Sequence, residues 1–125
     1  MKLSVLLVDD EVNITKILKK LIARARPDWT VETADCAETA LVVLEHTSFD
    51  VVVSDMRMPG MDGAELLAQV FAASPHTVRI ILSGHAEREA RDRALCVAHE
   101  FLGKPCTRDD IIGCIERVLA TLDAA

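Results

Sequence analysis

The sequence predicts an α/β domain: a parallel sheet with helices on both faces. Three observations carry this. Short apolar runs alternate with longer segments whose apolar residues recur every three or four positions, the βα order that builds parallel sheets. One run, Val51-Val52-Val53, is β-branched throughout and reads as a strand buried on both faces. That run ends on Ser54-Asp55, and Pro59-Gly60 just beyond it lets the chain leave the sheet edge. A chain of 125 residues suits one domain, expected over 1–122, with 123–125 as a tail or truncated linker.

Taken in order, Leu3 to Val8 is a short apolar run closed by Asp9-Asp10-Glu11, a buried strand. From 12 to 25 the period changes. Ile14, Ile17, Leu18, Leu21, Ile22 and Ala25 share one helical face, expected inward, with Lys16, Lys19, Lys20 and Arg24 largely opposite. Arg26-Pro27-Asp28 stops that helix, because the residue before a proline avoids helical backbone. Thr30 to Ala34 reads as an edge strand, and 37–46 as a helix with Ala37, Ala40, Leu41 and Leu44 inward. After the strand ending at Asp55, a helix starts at Asp62 or Gly63. It turns Leu66, Leu67, Val70 and Phe71 to the core and ends at Ser74-Pro75. Val78 to Leu82 is a buried strand closed by Ser83-Gly84. The helix expected over 86–95 has a thin stripe, Ala86, Ala90, Ala94 and Leu95, and a charged exterior; it reads equally as an easily repositioned element or as an ordinary surface helix. His99 to Leu102 is a short strand ended by Gly103-Lys104-Pro105, and 107–122 is the last helix, with Ile111, Ile115, Val118, Leu119 and Leu122 inward. An edge-like second strand beside buried first and third strands favours the flavodoxin-like (βα)5 order 2-1-3-4-5.

Composition excludes several functions. The net charge of −6 argues against an intrinsic nucleic-acid surface and against anionic membranes. Aromatic content is only 3 %, so the core must be aliphatic. Cys36, Cys96, Cys106 and Cys114 show no zinc spacing and read as small buried hydrophobes of a reduced compartment. No run approaches transmembrane length and no signal peptide is evident, so a cytoplasmic location is expected.

In a parallel sheet the strand ends share one edge. Strand one ends in Asp9-Asp10, strand three in Asp55, strand four in Ser83, strand five in Lys104. Each alone has a bland reading: Asp9, Asp10 or Asp55 as a turn or helix cap, Ser83 as a turn residue, Lys104 as a surface lysine, Phe101 as core. Together they are three carboxylates, a hydroxyl and an ammonium in one cleft. One lysine does not neutralise three carboxylates, and oxygen-only ligands suit Mg²⁺. Cations beside a carboxylate suit a phosphoryl group, with Asp55 as nucleophile, Ser83 donating to a phosphoryl oxygen and Gly84 leaving the approach open.

These residues resemble the receiver domain of bacterial two-component response regulators. The resemblance rests on Val8-Asp9-Asp10-Glu11, Asp55-Met56-Arg57-Met58-Pro59-Gly60-Met61-Asp62-Gly63, Ile81-Leu82-Ser83-Gly84 and Phe101-Leu102-Gly103-Lys104-Pro105. It implies that Asp55 accepts a phosphoryl group from a histidine kinase or a phosphotransfer protein. Asp10, Asp55 and the main-chain carbonyl of Arg57 would hold Mg²⁺ directly, and Asp9 through water. Lys104 would bind the phosphoryl group, and Ser83 and Phe101 would switch. The surface of the helix over 86–95, the last strand and the last helix would then change. Phe101 stands where the family often has tyrosine, so a hydroxyl bond is lost there. The Lys104-Pro105 peptide is expected to be cis. Arg57 and His85 flank the site and are expected to tune the acyl-phosphate lifetime. The domain would be a signalling module rather than an enzyme, one that catalyses its own phosphorylation and dephosphorylation. It would act on a protein target or on a C-terminal output domain, and Leu82-Ser83-Gly84-His85-Ala86 with Phe101 to Cys106 is similar to receivers joined to HD-type outputs. A homodimer through the helix over 86–95 and the last helix is a further expectation.

Other classes fit less well. A haloacid-dehalogenase-like phosphatase needs an aspartate two residues after the nucleophile, where Arg57 stands. A flavin or nucleotide module needs a Ser/Thr/Gly loop after strand one, where Asp9-Asp10-Glu11 would repel phosphate. A phosphorylation-independent, protein-binding receiver usually lacks an acidic residue or the lysine, and all are present here.

Overall fold

The computed structural model describes residues 2–84 and 92–124. Among the described residues the elements are β1 (Ser4–Val8), α1 (Val12–Ala25), β2 (Thr30–Ala34), α2 (Ala37–His46), β3 (Val51–Asp55), α3 (Gly63–Ala73), β4 (Val78–Ser83), β5 (Glu100–Gly103) and α4 (Arg108–Ala124). The strands form one sheet in the order β2-β1-β3-β4-β5, every neighbouring pair parallel. This is the expected flavodoxin-like arrangement. The helix expected over 86–95 lies largely outside the described residues; within them, residues 92–94 are helical.

Alternation along the strands sorts the core into two layers. Val5, Leu7, Val51, Val53, Ile80 and Leu82 point to one face, under Ile22 of α1 and Ile111, Ile115 and Val118 of α4. Leu6, Val8, Val52 and Ile81 point to the other, under Ala37 and Ala40 of α2, Leu66, Leu67 and Val70 of α3, and Ala94. β3 is buried along its whole length, as its β-branched run predicts. Its register sets Val8 beside Ser54 and Asp55 beside Leu82, so the strand ends are level.

Several expectations about facing fail. Ile14 and Ile17 are 45 % and 58 % exposed, and the buried stripe of α1 is instead Thr15, Leu18, Ile22 and Ala25. Thr15 sits inside because its hydroxyl donates to the Val12 carbonyl at 3.0 Å, which leaves no orphan polar group. Phe71 and Leu122 are each 43 % exposed, and Leu95 lies in a turn and is exposed. Of the cysteines only Cys114 is buried; Cys36 and Cys106 are half-buried and Cys96 is exposed. Cys36 caps α2, its sulfur accepting from the Thr39 N–H. The last helix runs through Asp123 and Ala124, past residue 122. Among the described residues, no helix is long and apolar enough to cross a membrane.

Candidate functional site

Level strand ends bring the candidate residues to one edge. Asp9 follows β1 and is almost wholly buried; its carboxylate accepts from the Glu11 N–H at 3.0 Å. Asp10 beside it is exposed. Asp55 ends β3 and is 6 % exposed. One oxygen from each of Asp9, Asp10 and Asp55 falls within 4.8 Å of the others. Lys104 leaves β5 and reaches in from the far side. Its ammonium lies 3.0 Å from Asp55 Oδ2, 3.4 Å from Asp9 Oδ2 and 3.7 Å from Glu11 Oε1. Its main chain is tied down too: the Lys104 N–H donates to the Ser83 carbonyl at 2.9 Å, and the Lys104-Pro105 peptide is cis, as the resemblance implies.

The electrostatics follow from crowding. The Asp55 carboxyl is raised to about 6: burial lifts it most, the Lys104 hydrogen bond and charge pull it down, and the Asp9 and Asp10 charges lift it. Burial works against the Lys104 ammonium, but its hydrogen bond to Asp55 and the nearby Asp55 and Asp9 charges raise its pKa overall. Three carboxylates around one ammonium leave a net negative pocket. The donor set is all oxygen with one exposed member, so the residues present fit a hard divalent cation such as Mg²⁺.

The loop after β3 is built to hold Asp55 still. The Met56 N–H donates to the Leu82 carbonyl, and the Gly63 N–H donates to the Met56 carbonyl, both at 2.9 Å. Gly60 has φ +79°, the left-handed conformation that lets the chain reverse after Pro59. Gly63 packs the start of α3 onto Asp55: a Cβ there would stand 2.3 Å from the Asp55 carbonyl oxygen and 3.0 Å from Ile81 Cδ1. Asp62 caps α3 in a capping box with Glu65 and also accepts from Arg93.

Ser83 is buried at the end of β4, level with Gly103. Phe101 is half-buried against the α2–α3 layer. Arg57 is exposed. Among the described residues nothing lies within 4 Å of where a Gly84 Cβ would be. His85 lies outside the described residues. Three features escaped sequence reasoning: the Glu11 carboxylate at Lys104, the steric need for Gly63, and the Arg93–Asp62 pair. Only Gly63 left a signal, a helix-opening glycine directly after a capping aspartate.

Known proteins resemble this chain in sequence and in fold. The chain is 33 % identical to the uncharacterized transcriptional regulatory protein YesN of Bacillus subtilis (strain 168), covering 94 % of this chain and 33 % of YesN. It is 33 % identical to the DNA-binding transcriptional regulator NtrC of Salmonella typhimurium, covering 90 % of this chain and 24 % of NtrC. It thus spans a quarter to a third of these relatives. Among solved structures, a response regulator receiver domain protein from Clostridium thermocellum superposes with a TM-score of 0.87 at 30 % identity, covering 98 % of both chains. The signal receiver domain of an HD domain-containing protein from Pseudomonas fluorescens Pf-5 does so with 0.89 at 27 % identity, covering 100 % of both. The model of the response regulator receiver domain matches residues 5–116, nearly the whole of the sheet and its helices, and the chain belongs to that family.

Proposed function

We propose that the chain is a phospho-accepting receiver module of a two-component system. Asp55 takes a phosphoryl group from the phosphohistidine of a sensor histidine kinase or a phosphotransfer protein. The observation that carries this reading is the Lys104 ammonium held 3.0 Å from a buried Asp55 that two further carboxylates crowd. Lys104 would hold a phosphoryl oxygen once Asp55 is phosphorylated to the acyl phosphate, and Ser83 would donate to another. Asp10, Asp55 and the Arg57 carbonyl would hold Mg²⁺, with Asp9 through water. When bound, the ion supplies positive charge for the phosphoryl oxygens. Phe101 is the aromatic that repacks when Ser83 moves, changing the face formed by residues 92–94, β5 and α4. Arg57, Gly84 and His85, which flank Asp55 and Ser83 in the sequence, would tune the lifetime of the acyl phosphate.

The module signals rather than turning over a metabolite, and it works in the cytoplasm on a protein target or an attached output domain. It contacts neither nucleic acid nor membrane through its own surface. Incubation with acetyl phosphate or beryllofluoride and Mg²⁺ tests the reading. A mass shift or spectral change that requires Mg²⁺ and vanishes in Asp55→Asn is expected. A parent protein indistinguishable from Asp55→Asn would remove the reading and leave a protein-binding receiver that works without phosphorylation.

A further inference from the structure

Glu11 carries a charge at the mouth of the site. Side-chain exposure rises from 9 % at Asp55 to 27 % at Lys104 and 56 % at Glu11, so Glu11 stands on the solvent side of the ammonium. It is not a loose surface group. Its N–H donates to Asp9, and its carbonyl accepts from the Ile14 and Thr15 N–H groups at the start of α1. Because Glu11 and Asp55 contact the same Lys104 nitrogen, their oxygens lie within about 7 Å of each other, close enough for unit charges to act on one another through partly excluded water.

We propose that Glu11 selects the phosphoryl donors of Asp55 by charge, disfavouring small, free, doubly negative donors. This rests on Asp55 being the phospho-acceptor. Two effects of Glu11 compete. It helps hold Lys104, which favours transfer, and it repels an incoming dianion. The first is small: Asp55 and Asp9 already hold Lys104 at 3.0 and 3.4 Å, and the Glu11 contact is longer and more exposed. The second acts on every dianion that approaches, and grows with its charge. Repulsion therefore dominates. With acetyl phosphate the transfer is a simple displacement. An Asp55 carboxylate oxygen bonds to phosphorus, the bond from phosphorus to the acetyl oxygen breaks, and its electron pair leaves on acetate.

The test compares parent, Glu11→Gln and Glu11→Asp in Mg²⁺, with doubly negative acetyl phosphate and singly negative phosphoramidate, at low and high salt. Mass spectrometry reads the rate constant for phosphorylation. Glu11→Gln should accelerate acetyl phosphate about three- to tenfold at low salt and phosphoramidate less, both gains shrinking to below about twofold at high salt as screening sets in. Glu11→Asp keeps the charge and should stay near the parent. A Glu11→Gln rate equal to or below the parent's, or a gain independent of donor charge and salt, would overturn the proposal. Affinity for inorganic phosphate, read from the Lys104 ammonium resonance, needs no covalent step. It should tighten several-fold in Glu11→Gln, and an unchanged affinity also overturns the proposal. Phosphate binding that tightens in a chain taking no phosphoryl group from either donor would count against the acceptor reading alone.

Discussion

Strand β4 carries a buried polar cluster at each end, and the two are solved in opposite ways. At its carboxyl end Ser83 shares the sheet edge with buried Asp9 and Asp55, whose carboxylates share the Lys104 ammonium with Asp10 close by. At its amino end Arg79 is 6 % exposed, and its guanidinium donates to the carbonyls of Val97 at 2.6 Å, Thr77 at 2.7 Å and Pro75 at 3.0 Å. The Phe71 ring covers it at 4.6 Å, which explains why Phe71 leaves the core. The Arg79 end is satisfied: a planar donor meets fixed carbonyls that water would otherwise have to reach. The Asp55 end is buried and crowded with like charge, which opposes folding of the bare protein. Satisfied polar burial locks a fold, while unsatisfied polar burial marks a place where something binds.

The sharpest way to break that contrast is Arg79→Met. Three carbonyls lose their donor, so a loss of about 4 kcal/mol is expected in urea unfolding. A loss below about 1 kcal/mol would show that water already serves them. Gly63→Ala attacks the other end through its scaffold. A Cβ 2.3 Å from the Asp55 carbonyl must push α3 or β3 aside, at about 3 kcal/mol. Phosphoryl uptake should fall with it, and a variant with parental stability and uptake would contradict the close packing.

Asp55→Asn should do the reverse and stabilise the metal-free protein. The Asp55 carboxyl is raised from 3.8 to about 6 in the folded chain, so its ionised form opposes folding. That penalty is absent below pH 3.8, grows as pH rises towards 6 and stays constant above. In chelator, Asn should add about 2 kcal/mol at pH 7.5 and almost nothing near pH 4. A variant less stable than the parent at pH 7.5 would mean the Lys104 attraction outweighs the crowding.

The smallest effect belongs to His99. Its Nδ1 accepts from the Arg79 N–H at 3.0 Å, and burial together with the Arg79 charge lowers its pKa below 6.5. The unfolded chain therefore takes the proton first. This contribution is full above pH 6.5 and is lost as pH falls through 6.5 towards the folded value. His99→Gln should flatten the stability slope between pH 7.5 and 5.5, and an unaltered slope would place the acid sensitivity elsewhere.

Much of the molecule is legible in the chain itself. Val51 to Asp55 announces a strand buried on both faces and ending in a carboxylate, and the matching ends at Asp9, Ser83 and Lys104 announce a shared edge. Strand alternation and turn chemistry are local properties, so they survive translation from one dimension to three. Facing is harder to read. Ile14 and Ile17 are as apolar as Ile22, and a six-residue apolar arc on α1 is wider than the strip that β1, β2 and α4 cover. Thr15 takes a buried place because its hydroxyl bonds within its own helix. Arg79 reads as a charge interrupting a buried strand, and its carbonyl partners lie up to 18 residues away in turns that give no polar signal.

The order of elements, the apolar runs and the placement of acid, hydroxyl and lysine at strand ends follow from residue types and spacing, because hydrogen-bond geometry and side-chain period are set within a few residues. Contacts between distant segments belong to the folded molecule: Glu11 beside Lys104, Gly63 against Asp55, Arg93 on Asp62. They depend on how helices lie across the sheet, a balance of packing over the whole core that no short stretch of chain contains.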